Sequence, residues 1–308
     1  MPEKEEVEQE EEKLDLDDFS EVINLVQNHK ENEEFIKNTV LGHIDSLIRS
    51  SGLEKKYNII FLYDDNRSIS HNHSDAIYRA LSSVEKQIDV LLIIHSRGGS
   101  IEPAYLISKS CKRLAKKKFS VAIPRRAKSA ATLISLGADE IHMGLMSEIG
   151  PIDPQINKLP AVAMSNALRK IAELSSEYPK SSEMFSRFLK DNLSLSVLGY
   201  FERVNESAAQ YASRLLSNKK LPSGSTPESL GDHFTNHYKD HSFVIDVDES
   251  EQLLGKTIVK KDTDEYNLAN SIYQFMNLFE MVCWYYLEKE VSIVGKGDHS
   301  INFVLKEK

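Results

Sequence analysis

Runs of apolar residues alternate with amphipathic segments along the first half of the chain. Three runs too uniformly hydrophobic to leave one face in water are predicted to be buried strands at 57–63, 88–95 and 119–123, with a shorter strand at 140–143. Helices are predicted between them at 74–85, 102–115 and 130–136. This order indicates parallel β-α repeats, whose loops after successive strands meet at one edge of the sheet.

Helical periodicity also marks both flanks of this region. Apolar spacing over 19–48 fits one or two amphipathic helices, expected to pack outside the main core or against a neighbouring subunit. Further helices are predicted at 161–176, 182–191, 195–217 and 264–290, and a surface loop at 221–231. The aromatic last helix suits a core, an oligomer interface or a membrane surface, and a hairpin is predicted from 291–294 and 301–305.

Charge and cysteine usage narrow the class of protein. The chain has a net charge of -9, and residues 1–21 alone hold eleven acids against two lysines, so the rest is balanced and no nucleic-acid surface is indicated. Residues 1–18 are expected to be a disordered acidic tail. Cys111 and Cys283 form no spacing motif, and no run reaches the roughly 18 apolar residues of a membrane span. A cytoplasmic protein without a transmembrane segment is expected.

Ser129 lies at a position suited to a nucleophile, in the first turn of the short apolar helix at 130–136. Unpaired backbone N–H groups and the positive end of the helix dipole surround such a residue, and both stabilise an oxyanion. Serine is also a common helix N-cap, and this stretch alone supports both interpretations. Gly98 and Gly99 follow the strand at 88–95, and we expect their turn to lie beside Ser129.

Three ordered motifs make the sequence recognisable: HSRGGS at 95–100, KSAATLISLGADEI at 128–141 and GPIDPQ at 150–155. They resemble the serine dehydrogenase proteinase family, a relative of signal peptide peptidase A. The resemblance implies a Clp-protease and crotonase-like α/β fold of repeated β-β-α units with helical N- and C-terminal additions. We divide the chain into the acidic tail 1–18, a helical segment 19–52, the peptidase domain 53–260, and a C-terminal helix plus β-hairpin over 261–308.

The resemblance also implies the oxyanion hole and the nucleophile. Ser129 matches the family's nucleophile, and Gly98 or Gly99 supplies one backbone N–H of the oxyanion hole. The second donor is the N–H of Ala130, directly after the serine. The sequence departs from the common family pattern at Arg97 before the glycines and at the two alanines after the serine, which narrow the approach to the donors.

A serine nucleophile needs a base, and the family's chain order of Ser, Asp, His suggests where to find it. Asp153 in GPIDPQ matches the acid, expected to hold the imidazole tautomer and to stabilise the imidazolium. His241 begins HSFVIDVDESEQLLG, which matches the family's histidine segment, and His237 is the second choice.

Two other interpretations compete with this triad. His233, His237 and His241 would share one face and bind zinc if 232–242 were a single helix. Relatives of signal peptide peptidase A instead use a lysine base 40 to 60 residues after the serine, where Lys180 and, less suitably, Lys170 lie. Two nearer residues of the basic turn, Lys128 and Arg126, are expected to face solvent or substrate.

The sequence therefore predicts a serine peptidase that forms an acyl-enzyme on Ser129 without metal or cofactor. Its expected partners are a peptide or protein substrate and further copies of itself in a homo-oligomer. Since the chain has no P-loop, any ATP dependence would have to come from a separate unfoldase or partner protein. The alternative is a Clp-fold scaffold or regulatory partner that has lost catalysis. A crotonase-type acyl-CoA enzyme, which needs an oxyanion hole but no serine, is a third interpretation.

Overall fold

A seven-stranded sheet forms the centre of the computed structural model, which describes residues 15–84, 86–156, 159–296 and 301–305. The strands of the chain are β1 (Tyr57–Tyr63), β2 (Asp89–His95), β3 (Phe119–Ile123), β4 (Arg126–Ala127), β5 (Glu140–Met143), β6 (Glu148–Ile149), β7 (Gln155–Ile156), β8 (Leu159–Pro160), β9 (Val259–Lys261), β10 (Lys289–Gly295) and β11 (Ile301–Leu305). The central sheet has the order β11-β10-β1-β2-β3-β5-β9. Within this sheet, β1, β2, β3, β5 and β9 run parallel to one another. Strand β10 pairs antiparallel with β1, and β11 pairs antiparallel with β10.

Helices cover both faces of this sheet. They are α1 (Phe19–Asn28), α2 (Glu33–Ser51), α3 (His71–Ser82), α4 (Ile101–Leu114), α5 (Ala130–Leu136), α6 (Val162–Glu177), α7 (Ser182–Asn192), α8 (Leu195–Leu216), α9 (Pro227–Asp232), α10 (Val247–Leu254) and α11 (Asp264–Leu287). Among the described helices, none is long and apolar enough to cross a lipid bilayer.

The central strands β1, β2 and β3 are mostly apolar because their two faces belong to separate cores. In β1, Ile60 and Leu62 pack into a core with α3, α4, α5 and α8. Ile59 and Phe61 point the other way, into a core with α1, α2 and α11. Both cysteines are free and buried, Cys111 in the first core and Cys283 in the second. The predicted strands and the α/β fold class are therefore confirmed.

Two predictions about the helical parts are wrong. Helices α1 and α2 do not lie outside the core, because Val22, Leu25 and Ile44 are buried against α11 and the sheet. The supposed loop at 221–231 contains α9, since Thr226 and Ser229 cap its first turn reciprocally. The predicted acidic tail lies outside the described residues up to residue 14, and the loop of the confirmed C-terminal hairpin lies outside them at 297–300. The proposed domain boundaries stay a prediction.

The connections β2-α4 and β3-α5 place two loops at the same edge of the sheet. Ser96, directly after β2, forms a parallel bridge with Ala127 of β4. Ile69, before α3, forms a second bridge with Gly99. Hydrogen bonds thus fix the loop after β2 on both of its sides, at the carboxyl ends of the parallel strands where such sheets bind ligands.

Glu280 of α11 gives the fold an unusual pH dependence. Burial, with the nearby carboxylates of Asp65 and Asp64, raises the pKa of Glu280 to about 8. The folded protein therefore keeps a proton that the unfolded chain releases near pH 4.5. This contribution to stability is fully present below pH 4.5 and is lost as the pH rises to about 8.

Replacing this carboxyl group with an amide is expected to remove the part of the pH dependence of stability that Glu280 causes. The Glu280→Gln variant should gain stability over the wild type on going from pH 5 to pH 8, by a difference on the order of 3 kcal/mol. Urea unfolding of both proteins at the two pH values measures this. A stability difference that is the same at pH 5 and pH 8 would show that Glu280 titrates normally.

Candidate active site

Ser129 connects β4 to α5 in a strained backbone conformation. Its φ of 51° and ψ of -117° lie in a region that residues with a Cβ rarely adopt. Bonds on both sides maintain this conformation: the Lys128 N–H donates to the Ser96 carbonyl at 3.0 Å, and the Leu133 N–H donates to the Ser129 carbonyl at 3.1 Å. The half-buried serine therefore occupies a sharp strand-to-helix turn at the amino end of α5.

The turn that contains Gly98 and Gly99 packs directly against this serine, as expected. A Cβ built on Gly98 would lie 2.8 Å from the Cβ of Ser129 and 3.0 Å from the backbone nitrogen of Ala130. The φ of Gly98 is 101°, which also disfavours any other residue. Glycine at position 98 is therefore what allows the two loops to touch.

Two backbone N–H groups beside the serine are available to a ligand. The N–H of Gly98 is occupied, because it donates to Ser96 Oγ at 3.2 Å. Among the described residues, neither Gly99 nor Ala130 donates its N–H to a protein acceptor. These two groups are the candidate oxyanion donors, and Gly98 shapes the turn that presents one of them.

Asp153 and His241 form a hydrogen-bonded pair. Nδ1 of His241 lies 2.7 Å from Oδ1 of Asp153, while Gln155 donates to the other carboxylate oxygen at 2.7 Å. The Asp153 side chain is only 6% exposed, whereas the imidazole is 35% exposed. Because an ionised carboxylate only accepts, Nδ1 of His241 carries the proton of a neutral ring, and Nε2 is the nitrogen that can take up another.

Hydrogen bonds connect the serine helix with the segments that carry this pair. Thr132 of α5 is buried, and its Oγ1 accepts a hydrogen bond from the Gly150 N–H at 3.0 Å. Next to it, Ile149 and Ile245 form an antiparallel bridge with bonds of 3.0 and 3.1 Å. The site thus has two parts, the serine with its glycine turn and the His-Asp pair.

No direct hydrogen bond joins these two parts in the described residues. Ser129 Oγ has no side-chain partner there, so the imidazole of His241 and the serine hydroxyl are not bonded in this state. Hydrogen bonds of this kind are often long in unliganded enzymes and shorten when substrate binds.

The helix required for a three-histidine zinc site does not form. Helix α9 ends at Asp232, a π-helical turn covers His233–His237, and the backbone is extended at Tyr238. His237 is exposed and stacks on His233 with a centroid distance of 4.2 Å. Within the described part of the chain, no group of three or more His, Cys, Asp or Glu side chains is arranged to hold a metal ion.

The lysines considered as alternative bases are both exposed. Lys180 lies in the 3-10 turn Pro179–Ser181 between α6 and α7, and Lys170 pairs with Glu173 at 3.2 Å on the surface of α6. A lysine that acts as a base near pH 7 must be desolvated. Neither side chain meets that requirement in this structure.

Asp65, Gln155 and Lys128 support the site although the sequence pattern did not single them out for this role. The Asp65 carboxylate accepts a hydrogen bond from Nε of Arg97 in the glycine turn at 3.0 Å, and its other oxygen lies 3.2 Å from Nε of Arg126 in β4. Asp65 therefore connects the loop after β2 with β4. The expectation that Lys128 faces solvent or substrate is wrong, because its side chain is only 13% exposed. The roles of Asp65 and Lys128 depend on contacts between distant segments, which no local spacing reveals, whereas Gln155 bonds to Asp153 two residues away.

Comparison with known proteins finds a family match in the central part of the chain. Residues 58–177 match the family described as ClpP-like SDH-type serine proteinase, which confirms the resemblance seen in the motifs. Two uncharacterized proteins of Methanocaldococcus jannaschii are 36% and 35% identical over 109 and 102 residues. These alignments cover 35% and 33% of this chain, and 37% and 35% of the relatives. The chain thus spans about a third of the length of those relatives.

Solved structures with a similar course include two mutant forms of 1510-N membrane-bound stomatin-specific protease, one of them in complex with a substrate peptide. The TM-scores are 0.43 and 0.44 at 13% and 14% sequence identity. The matches cover 68% of this chain in both cases, and 82% and 77% of the protease chains.

Proposed function

We propose that this protein, whose residues 58–177 match the ClpP-like SDH-type serine proteinases, cleaves peptide bonds through an acyl-enzyme on Ser129. One observation carries the proposal: a strained serine at a strand-to-helix turn packs against a glycine turn, and the N–H groups of Gly99 and Ala130 have no protein acceptor among the described residues. A serine that served only as a helix cap would need neither the strain nor the free donors. In fact Ser129 makes no side-chain cap bond to α5.

The proposed reaction begins with attack of Ser129 Oγ on the carbonyl carbon of the scissile peptide bond. Nε2 of His241 takes up the hydroxyl proton, and the N–H groups of Gly99 and Ala130 donate to the oxyanion that develops. The carboxylate of Asp153 holds the Nδ1 proton and stabilises the imidazolium, without taking the proton itself.

The intermediate then collapses and the C–N bond breaks. His241 returns the proton to the leaving amine, which leaves an ester between the acyl group and Ser129 Oγ. A water molecule, deprotonated by the same Nε2, attacks this ester, and the second tetrahedral intermediate releases the acid and restores the serine. Closure of the distance between His241 and Ser129 on substrate binding is part of this proposal.

The alternative function is a Clp-fold scaffold or regulatory partner without catalysis. The absence of a hydrogen bond between Ser129 and His241 in the described structure favours it. Homo-oligomeric assembly, a separate unfoldase and a cytoplasmic location stay predictions under either function.

Hydrolysis of an unfolded protein distinguishes the two functions and the two classes of base. Fluorescently labelled casein should be degraded by the wild type and by Lys180→Ala, but not by Ser129→Ala or His241→Ala. Loss of activity only in Lys180→Ala among the two base variants would overturn the triad. No hydrolysis by folded wild type would support the scaffold.

A further inference from the structure

We propose that Lys128, next to the nucleophile, is a positioning residue that holds the His241 segment at the active site. The inference rests on the proposed function for its consequence in catalysis. The tether itself, meaning the bonds from Lys128 to the segment after His241, is a structural claim. The largely buried ammonium group of Lys128 touches no reacting atom, and this role accounts for its position.

The contacts of the Lys128 ammonium reach two separate segments, at 148–149 and at 242–243. Nζ lies 2.7 Å from Oε2 of Glu148, and it donates to the carbonyl of Phe243 at 2.9 Å. Longer contacts reach the carbonyls of Ile149 at 3.4 Å and Ser242 at 3.5 Å. All four partners are acceptors, so Nζ acts as a charged donor and is not placed to take the serine proton.

These partners stand next to the residues of the candidate triad. Ser242 and Phe243 directly follow His241, and Ile149 precedes Asp153 by four residues in the strand that leads into GPIDPQ. Lys128 itself precedes Ser129. One ammonium group therefore links the serine turn to the aspartate and histidine segments, whose catalytic side chains bond to each other but not to Ser129 Oγ in the described residues.

The path of the lysine side chain explains a further glycine. A Cβ built on Gly150 would lie 2.6 Å from Cδ of Lys128. The methylene stem thus crosses Gly150 before Nζ reaches the Phe243 carbonyl. The Lys128 side chain is 13% exposed, and its bond to the Phe243 carbonyl is charge-assisted, which makes it stronger than a bond between neutral groups.

The His241 segment has few other anchors on this side. Apart from the bond between His241 and Asp153, its remaining hydrogen bonds are local, from the Ser242 N–H to the Asp240 carboxylate at 2.7 Å, or lie farther along at the Ile245–Ile149 bridge. Ser242, Phe243 and Val244 are exposed. Without Lys128, the stretch that carries the imidazole would be held mainly by the bond between His241 and Asp153 and by the Ile245–Ile149 bridge.

The tether is tested first without any activity. Lys128→Met keeps the stem and removes the three donors, and both it and its parent carry Ser129→Ala. Hydrogen–deuterium exchange of the full chain should show amides 242–244 exchanging at least about 10-fold faster in the lysine variant, with the sheet unchanged. Lys118→Met is the matched control, since Lys118 pairs with Glu140 at 2.8 Å at the far end of β3 and should leave 242–244 unaffected.

The consequence for catalysis is measured on proteins with Ser129 intact. Lys128→Met should react with a fluorophosphonate about 100-fold more slowly than the wild type, because displacement of a catalytic group by about 1 Å has costs of that size. KM for a peptide substrate should change little, and Lys128→Arg should recover part of the rate. If Lys128 only stabilised the fold, Lys128→Met would lower the midpoint of thermal unfolding without slowing the reaction at a nearly constant KM.

Two results would overturn the proposal: unchanged exchange at 242–244 in Lys128→Met, or a labelling rate equal to that of the wild type. If the wild type does not react at all, the proposed peptidase function fails, whereas the exchange experiment still decides whether Lys128 holds the segment. The two failures are thus distinguishable.

Discussion

The Asp153→Asn variant is expected to form the acyl-enzyme roughly 10⁴-fold more slowly than the wild type, an effect of the size that loss of the correct histidine tautomer produces. The reason lies in the second partner of the carboxylate. Gln155 donates to Oδ2 of Asp153. In the variant the amide oxygen should stay with Gln155, so the amide NH₂ group faces Nδ1 of His241.

That arrangement changes which ring nitrogen carries the proton. Nδ1 of His241 must then accept, the ring proton moves to Nε2, and the imidazole can no longer take the proton of Ser129. Burst-phase kinetics with an activated ester substrate measure acylation directly. Asp89→Asn is the control: Asp89, at the amino end of β2, accepts hydrogen bonds from the N–H groups of Lys117 and Lys118 at 2.9 and 3.0 Å, and its replacement should leave the rate unchanged. An Asp153→Asn rate within tenfold of the wild type would contradict the assigned role.

The Gly98→Ala variant should lose activity almost as severely, through the oxyanion hole. The added methyl group would lie 2.6 Å from the Lys128 carbonyl oxygen and 2.8 Å from the Cβ of Ser129, and the φ of 101° strains any side chain. The two loops must separate, which moves the N–H of Gly99 away from that of Ala130. Loss of one such donor typically lowers kcat by about 10² to 10³-fold.

A glycine without neighbours provides the matched control for this substitution. Gly42 lies within α2 with nothing near a built Cβ, so Gly42→Ala should retain full activity and gain stability of about 0.5–1 kcal/mol. Steady-state hydrolysis and thermal unfolding of both variants separate the effects. Near-normal kcat in a folded Gly98→Ala protein would show that the turn does not form the oxyanion hole.

The core of the fold was predictable because its strands are buried on both faces. A run such as Tyr57–Tyr63 leaves no doubt about a strand, since two hydrophobic cores demand apolar residues at every position. The first residues of helices are harder to predict from the sequence. The start of α3 was placed three residues late because His73, rather than the usual Glu or Gln, completes the capping box with Ser70.

Some features of the candidate site are likewise predictable from the sequence, whereas others depend on contacts that only the folded structure shows. Topology alone places the glycine turn beside Ser129, since both follow neighbouring parallel strands. The choice between Gly98 and Gly99 as a donor depends on the Ser96 hydroxyl, which occupies the N–H of Gly98. The contacts of Lys128 to the segment at 242–243 cross more than a hundred residues, and no spacing rule connects them.

Covalent labelling of Ser129 tests the central claim most directly. The folded wild-type protein should react with a fluorophosphonate so that fluoride leaves and the phosphonyl group is bonded to Ser129 Oγ, as peptide mapping by mass spectrometry would locate it. Ser129→Ala should show no label, and His241→Ala should show only slow labelling at the same residue. Absence of label on the folded wild type, or label on a residue other than Ser129, would contradict the account.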